Sequence, residues 1–213
     1  CHRKDLIEMT SAKELQKSLT WEFPHIGKAE PTMKDVAFAY CEGYKIFLNE
    51  GKTEREFAAK AVELLEAAGY EPLDLSKQYK PGDKVYYVNR GKSLAMSTFG
   101  VAPLEKGVRL NAAHIDSPRL DLKPNPVYEK NDIAYFKTHY YGGIRKYQWV
   151  TTPLAMHGVI VKKDGTIVKV SVGEKAGEPQ FCVTDLLPHL GAKQNERKLA
   201  DGIRGEELNI VIG

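Results

Sequence analysis

Asn111-Ala112-Ala113-His114-Ile115-Asp116-Ser117-Pro118 reads as the end of a strand and the start of a site. It closes an apolar run from Val108 to Ala113, which predicts a strand entering a core, and Ser117-Pro118 stops it. Side chains two apart in an extended backbone point to one face, so His114 and Asp116 are expected to face one cleft. A strand end is where open α/β sheets keep their ligand sites. Imidazole nitrogen is a good zinc ligand, and a carboxylate two residues on either orients that ring or takes the metal itself. The same His-x-Asp pattern is also ordinary surface or turn polarity. Spacing alone leaves both readings open.

Working outward, the segment after Pro118 alternates as Leu120-Asp121-Leu122-Lys123 before Pro124 and Pro126, which are expected to break the strand. Ile133 to Tyr141 is β-rich and ends in Gly142-Gly143, either a close backbone approach or an ordinary loop. Leu154–Lys162 and Thr166–Val172 flank Lys163-Asp164-Gly165, a hairpin signal. Phe181 to Leu190 is apolar, with Pro188-His189 near its end. Taken alone, His189 is a cap or turn residue. His139 reads as a structural histidine in an aromatic strand, His157 as a packing residue, and His2 and His25 as solvated. Arg145, Lys146 and Trp149 are candidates for the rim of a polar pocket.

Upstream the period is helical. Thr32 opens a helix whose stripe of Val36, Ala37, Tyr40, Cys41, Tyr44, Phe47 and Leu48 ends at Gly51 and predicts a buried Cys41. Thr53-Glu54-Arg55-Glu56 is a capping-box sequence opening a second helix with Phe57, Ala61, Leu64, Leu65 and Ala68 on one face. Val85–Val88 and Ser93–Phe99 predict two strands. Leu6, Ile7, Leu15 and Leu19 predict a weak helix, and Trp21-Glu22-Phe23-Pro24 an extended segment. Helices first and strands after imply an α/β or α+β sheet protein whose 120–180 region forms partly a separate lobe.

Composition narrows the function classes. The 213 residues are 42% hydrophobic and 28% charged, as in a globular domain. The net charge of +3, from 31 basic and 28 acidic residues without a basic stripe, argues against nucleic acid. Cys1, Cys41 and Cys182 are far apart and read as free thiols in a reducing cytoplasm. No apolar run is long enough to cross a bilayer and no secretory signal stands out, so a cytoplasmic protein away from the membrane is expected. There is no phosphate-binding loop, no dinucleotide fingerprint and no G-x-S-x-G elbow. The chain starts at Cys1, and Asn209 to Ile212 reads as a strand near its last residue. The expectation is a fragment of a longer protein, with that strand left as an unpaired apolar edge. The alternative is a trimmed start and a genuine edge strand.

Ala113-His114-Ile115-Asp116-Ser117-Pro118, Leu120-Asp121-Leu122-Lys123-Pro124, Tyr141-Gly142-Gly143-Ile144, Trp149, Leu154–Lys162 and Leu186-Leu187-Pro188-His189-Leu190 occur in an order that resembles the M18 family of metalloaminopeptidases, the aspartyl aminopeptidase and vacuolar aminopeptidase I group. The resemblance covers about residues 30 to 213, with H-x-D-S-P its most specific part. It implies a zinc-aminopeptidase-like mixed sheet flanked by helices, with an inserted β-rich dimerisation domain beginning within the chain. Residues 1–118 would be the N-terminal part of the catalytic domain and 119–213 the start of the insert. It implies two zinc ions per subunit, peptide substrates, and homo-oligomers built on dimers, commonly dodecamers. His114 then looks like a metal ligand and Asp116 like the acid that orients or tunes the site. His189 looks like the histidine that reaches a neighbouring subunit's active site. The chemistry implied is attack of metal-activated water on a peptide carbonyl, with a glutamate as general base.

Two departures follow. Where the family often carries an Asp-Arg-Asp-Leu segment after the Trp, this chain reads Val150-Thr151-Thr152-Pro153-Leu154, so a preference for acidic residues does not carry over. The family's remaining ligands lie downstream of the part that matches. The 213-residue chain is therefore expected to hold one ligand of the cluster and to be inactive alone. The runner-up is a non-catalytic oligomerisation module or inactive truncated paralogue.

Overall fold

The computed structural model describes residues 12–21 and 30–212. The segments at Leu6-Ile7 and Glu22–Pro24 lie outside the described residues. The chain divides into two compact units, Cys1–Leu48 and Asn49–Gly213.

The first unit holds α1 (Ala12–Leu19) and most of α2 (Pro31–Glu50). Proline suits the first helical position, where its missing N–H is no loss. Val36, Phe38, Tyr40, Tyr44 and Ile46 on α2 are exposed, and so is Cys41. The expected burial of Cys41 is therefore corrected. Helical spacing marks an apolar stripe but does not supply the surface that would cover it.

The second unit starts with α3 (Glu54–Ala67), whose N-terminus carries the expected box. Thr53 Oγ1 accepts from the Glu56 N–H at 3.3 Å, and the Thr53 N–H donates to Glu56 Oε2 at 3.0 Å. Two otherwise orphaned donors are satisfied reciprocally. Ala58 and Leu65 are buried, and α3 lies against a sheet ordered β1 (Glu71–Pro72), β2 (Lys84–Asn89), β3 (Ser93–Thr98). Val85 and Tyr86 of β2 are buried, and the Tyr86 hydroxyl donates to Glu66 of α3 at 2.7 Å.

The second half centres on a four-stranded sheet, ordered β4 (Arg119–Lys130), β5 (Ile133–Tyr141), β9 (Ile210–Val211), β8 (Cys182–Val183). Between these in sequence lie the antiparallel hairpin β6 (Met156–Val161) and β7 (Ile167–Val172) and the short helix α4 (Ala192–Asn195). Prolines 124 and 126 do not end β4. They fall within a register shift between Leu122 and Val127, on an edge strand where a missing N–H costs no ladder bond. Asn131 and Asp132, both at positive φ, turn β4 into β5, as a tight two-residue hairpin requires.

The expected edge strand at 209–212 is also corrected. β9 is an inner strand, with Ile210 opposite Phe136 of β5 on one side and Val183 of β8 on the other. The core forms there, from Val183, Ile203, Leu208 and Ile210, with Leu120, Phe136, Tyr140, Trp149, Leu154 and Phe181 packed around it. Trp149 is thus a core neighbour rather than part of a polar rim. Thr138 is buried and its hydroxyl donates to the Leu208 carbonyl, so β5 and the loop into β9 share a satisfied polar contact. No helix among the described residues is long and apolar enough to cross a membrane.

Candidate metal centre

The run Val108–Ala113 forms no strand. It is irregular, and Val108 and Leu110 are 71% and 84% exposed. A strand is defined by its ladder, and among the described residues this backbone has no strand partner. The His-x-Asp pair therefore stands just before the start of β4 rather than at a strand's end.

The pair is nevertheless organised. His114 Nδ1 lies 2.9 Å from the Asp116 backbone oxygen and 3.3 Å from Asp116 Oδ1. A carbonyl oxygen only accepts, so Nδ1 must carry the proton. In the neutral ring that leaves the lone pair on Nε2, and the imidazole is 84% exposed. This is the tautomer and orientation a metal-binding histidine needs.

Asp116 is held in turn. The Tyr141 hydroxyl donates to Asp116 Oδ2 at 2.7 Å. That hydrogen bond, more than the nearby His114, holds the Asp116 carboxyl below its ordinary value, and the same contact pushes the Tyr141 phenol up. The Arg119 guanidinium lies over the Tyr141 ring at 4.1 Å. Its Nη1 reaches Glu54 Oε1 at 2.9 Å and its Nε reaches Asp121 Oδ1 at 2.8 Å. Gly142 follows at φ +83°, and a Cβ there would stand 3.5 Å from the Pro118 backbone. The Tyr-Gly-Gly turn thus sits on the Ser-Pro turn; a Cβ would make only ordinary contact there, and it is the positive φ that calls for glycine.

Sequence reasoning named His114, Asp116 and Gly142 but gave no role to Tyr141, Arg119 or Glu54. Glu54 lies 65 residues from Arg119, and no local pattern links them. The one available signal was the arginine directly after the Ser-Pro turn.

His189 lies elsewhere. It is exposed on the turn Pro188–Leu190, which the Leu190 and Gly191 N–H groups close on the Leu187 carbonyl at 2.9 and 3.0 Å. Beside it runs a groove of about 500 Å³, lined among others by Tyr147, Asp185, Pro188, Gln194 and Arg197. Among the described residues, no hydrogen bond or ion pair joins His189 to His114 or Asp116, and no group of three or more His, Cys, Asp or Glu side chains is gathered for a metal.

Of the other histidines, His139 is exposed and tilted against Tyr140. His157 is more than a packing residue. Its Nδ1 meets Glu56 Oε1 and its Nε2 meets Glu174 Oε1, both at 2.8 Å. Two ionised carboxylates accept from both ring nitrogens only when each carries a proton, so the pair favours the imidazolium form. Burial opposes that charge, but the two carboxylates outweigh it and raise the pKa.

An α/β frame with an exposed histidine oriented by its Asp116 neighbour defines the class, a protein with a candidate metal-dependent site. The family description "Aminopeptidase I zinc metalloprotease (M18)" matches residues 47–212, and the chain belongs to the M18 family. A probable M18 family aminopeptidase 1 of Clostridium acetobutylicum is 54% identical over 185 residues, covering 85% of this chain and 40% of that relative. The crystal structure of an M18 aminopeptidase from Thermotoga maritima superposes with a TM-score of 0.78 at 42% identity, over 84% of this chain and 39% of that one. Aminopeptidase I from Borrelia burgdorferi gives 0.73 at 36% identity, over 86% and 41%. The S. cerevisiae mApe1 dodecamer, 20% identical with a TM-score of 0.61, shares the fold. The chain spans about 40% of the length of the relatives it matches.

Proposed function

We propose that this chain supplies the N-terminal part of a zinc-dependent aminopeptidase that removes N-terminal amino acids from peptides. The observation that carries the reading is the fixed His114 ring, its Nδ1 committed to Asp116 and its Nε2 turned outward, in a chain of the M18 family. His114 binds zinc, and Asp116 sets the ring's tautomer and orientation. Zinc, when bound, supplies a Lewis acid that polarises a peptide carbonyl and lowers the pKa of water. The complete site holds two zinc ions, and ligands beyond His114 come from the remaining length that the relatives have.

Residues 1–118 belong to the catalytic α/β domain, and 119–213 begin a β-rich dimerisation domain. Support for the second comes from the sheet β4-β5-β9-β8 with its own core. His189 contacts substrate in a neighbouring subunit of a dimer-based homo-oligomer, as large as a dodecamer. Leu186, Leu187 and Leu190 flank it and are all more than half exposed, as a loop that inserts into a partner requires. The protein works in the cytoplasm, where Cys41 and Cys182 persist as free thiols.

The test is zinc content and release of N-terminal residues from peptides by the complete gene product and its His114→Ala variant. Stoichiometric zinc and turnover, both lost in His114→Ala, are expected. Zinc and turnover that survive the substitution would overturn the ligand assignment. A complete gene product with neither would give the oligomerisation-module reading instead. The 213-residue chain alone is expected to hydrolyse no peptide.

A further inference from the structure

We propose that Tyr141 is a positioning residue for the metal centre, braced by Arg119 and Glu54, which locks the Asp116 carboxylate and through it the His114 ring. This rests on the reading of His114 as a metal ligand.

The His114 Nδ1 proton goes to the Asp116 backbone oxygen at 2.9 Å, with carboxylate Oδ1 beside it at 3.3 Å. The carboxylate rotates about a broad two-fold torsion, so that second contact alone does not fix its plane. The Tyr141 hydroxyl takes the opposite oxygen, Oδ2, at 2.7 Å, and the two contacts together define the plane. Tyr141 ends β5, and its ring needs a support of its own. Arg119, paired with it in the β4–β5 register, lies over the ring face at 4.1 Å.

Arginine's planar fork is held at two points, by Asp121 from its own strand and by Glu54 from the first turn of α3. Glu54 thereby ties the capped helix to the site. Gly142 against Pro118 fixes the path of the chain beyond Tyr141. Glu54 of α3 and Arg119 of β4 thus stand behind Tyr141 of β5, which reaches a carboxylate whose other side-chain partner among the described residues is His114. Outer partners of this kind orient the ring of a metal-binding histidine and fix its tautomer.

The experiment is a chelator competition for zinc on the complete gene product, comparing wild type with Tyr141→Phe, Arg119→Lys and, as a control on the same hairpin, Tyr128→Phe. Thermal melting of the zinc-free proteins reports folding separately. Tyr141→Phe is expected to weaken zinc binding about tenfold or more, within the range for partners of metal-bound histidines. Its zinc-free melting temperature stays that of wild type. Arg119→Lys keeps the charge but cannot hold both carboxylates and the ring face, and shifts affinity in the same direction by less. Tyr128→Phe leaves it unchanged. Wild-type zinc affinity in Tyr141→Phe would overturn the proposal, as would a loss matched by an equal loss in Tyr128→Phe. His114→Ala separates the two claims. If it still binds zinc, the reading of His114 fails. If it loses zinc while Tyr141→Phe does not, only the positioning role fails.

Discussion

Val108–Ala113 and Asn209–Ile212 are both short apolar stretches, and both read as strands, yet they end in opposite states. Ile210 is buried between two strands, while Val108 and Leu110 stand in the open. Hydrophobicity does not separate them. The second stretch meets Phe136 and Val183 at matching register, and the first meets no ladder among the described residues. A strand is a property of a pair, and composition shows one member only.

The comparison is broken most directly at its buried end. Leu208 is 1% exposed and packs with Val183, Ile203 and Ile210. Leu208→Ala is expected to cost about 2–5 kcal/mol through lost burial and the cavity left behind. Urea unfolding measures it. A cost below about 1 kcal/mol would mean that the sheet β4-β5-β9-β8 is not the centre of stability.

The polar contact in the same core comes next. Thr138→Val keeps the side chain's shape but leaves the Leu208 carbonyl buried without its donor. The expected loss is about 1–3 kcal/mol in the same assay. Away from that core, Thr53→Ala removes one half of the capping box at α3 and is expected to cost about 1 kcal/mol. Thr53→Asn should recover most of it, since asparagine also caps.

A smaller effect depends on pH. His157 gains its pairing with Glu56 and Glu174 on folding, so its folded pKa lies above the ordinary value of 6.5. Its contribution is full below 6.5 and is lost as pH rises through the folded value. Burial raises the Glu56 carboxyl, but His157 and Thr53 together bring it below its ordinary 4.5. Its contribution is present above 4.5 and is lost as pH falls through the folded value. Melting temperature is therefore expected to be highest between these limits. His157→Gln should flatten the alkaline side, and a wild-type profile as flat as the variant's would remove the ion pair from the account. Glu174 is 39% exposed, so water screens its half of the pairing and keeps the effect small.

Much of this was legible in local pattern. Thr53-x-x-Glu56 named the start of α3, and the run Ile133–Tyr141 coincides with β5. The His-x-Asp pair was visible because its partners are two residues apart. What failed was long-range. Pro124 and Pro126 look like breakers in the sequence because an edge position cannot be seen from the strand itself. Cys41 lies on a stripe that points to burial, yet is exposed, because a helical stripe does not say what covers it. The support of Asp116 was hidden for the same reason, since Tyr141 lies 25 residues and Glu54 more than 60 residues away along the chain.

The smallest expected effect lies at the exposed end of the comparison. Leu110 is 84% exposed and sits four residues before His114. Leu110→Ser removes apolar surface that water already covers, so urea unfolding of the 213-residue chain should change by less than about 0.5 kcal/mol. The same substitution in the complete gene product tests whether the run finds a partner there. A loss of about 2 kcal/mol or more in that longer protein, against none in the shorter chain, would mean that Val108–Ala113 pairs with the added length and becomes the strand its composition suggests. No loss in either would mean that His114 is carried on an irregular segment, anchored through Asp116, Tyr141 and Arg119 rather than through a sheet. The two results assign the rigidity of the histidine to different parts of the molecule, and one pair of unfolding curves distinguishes them.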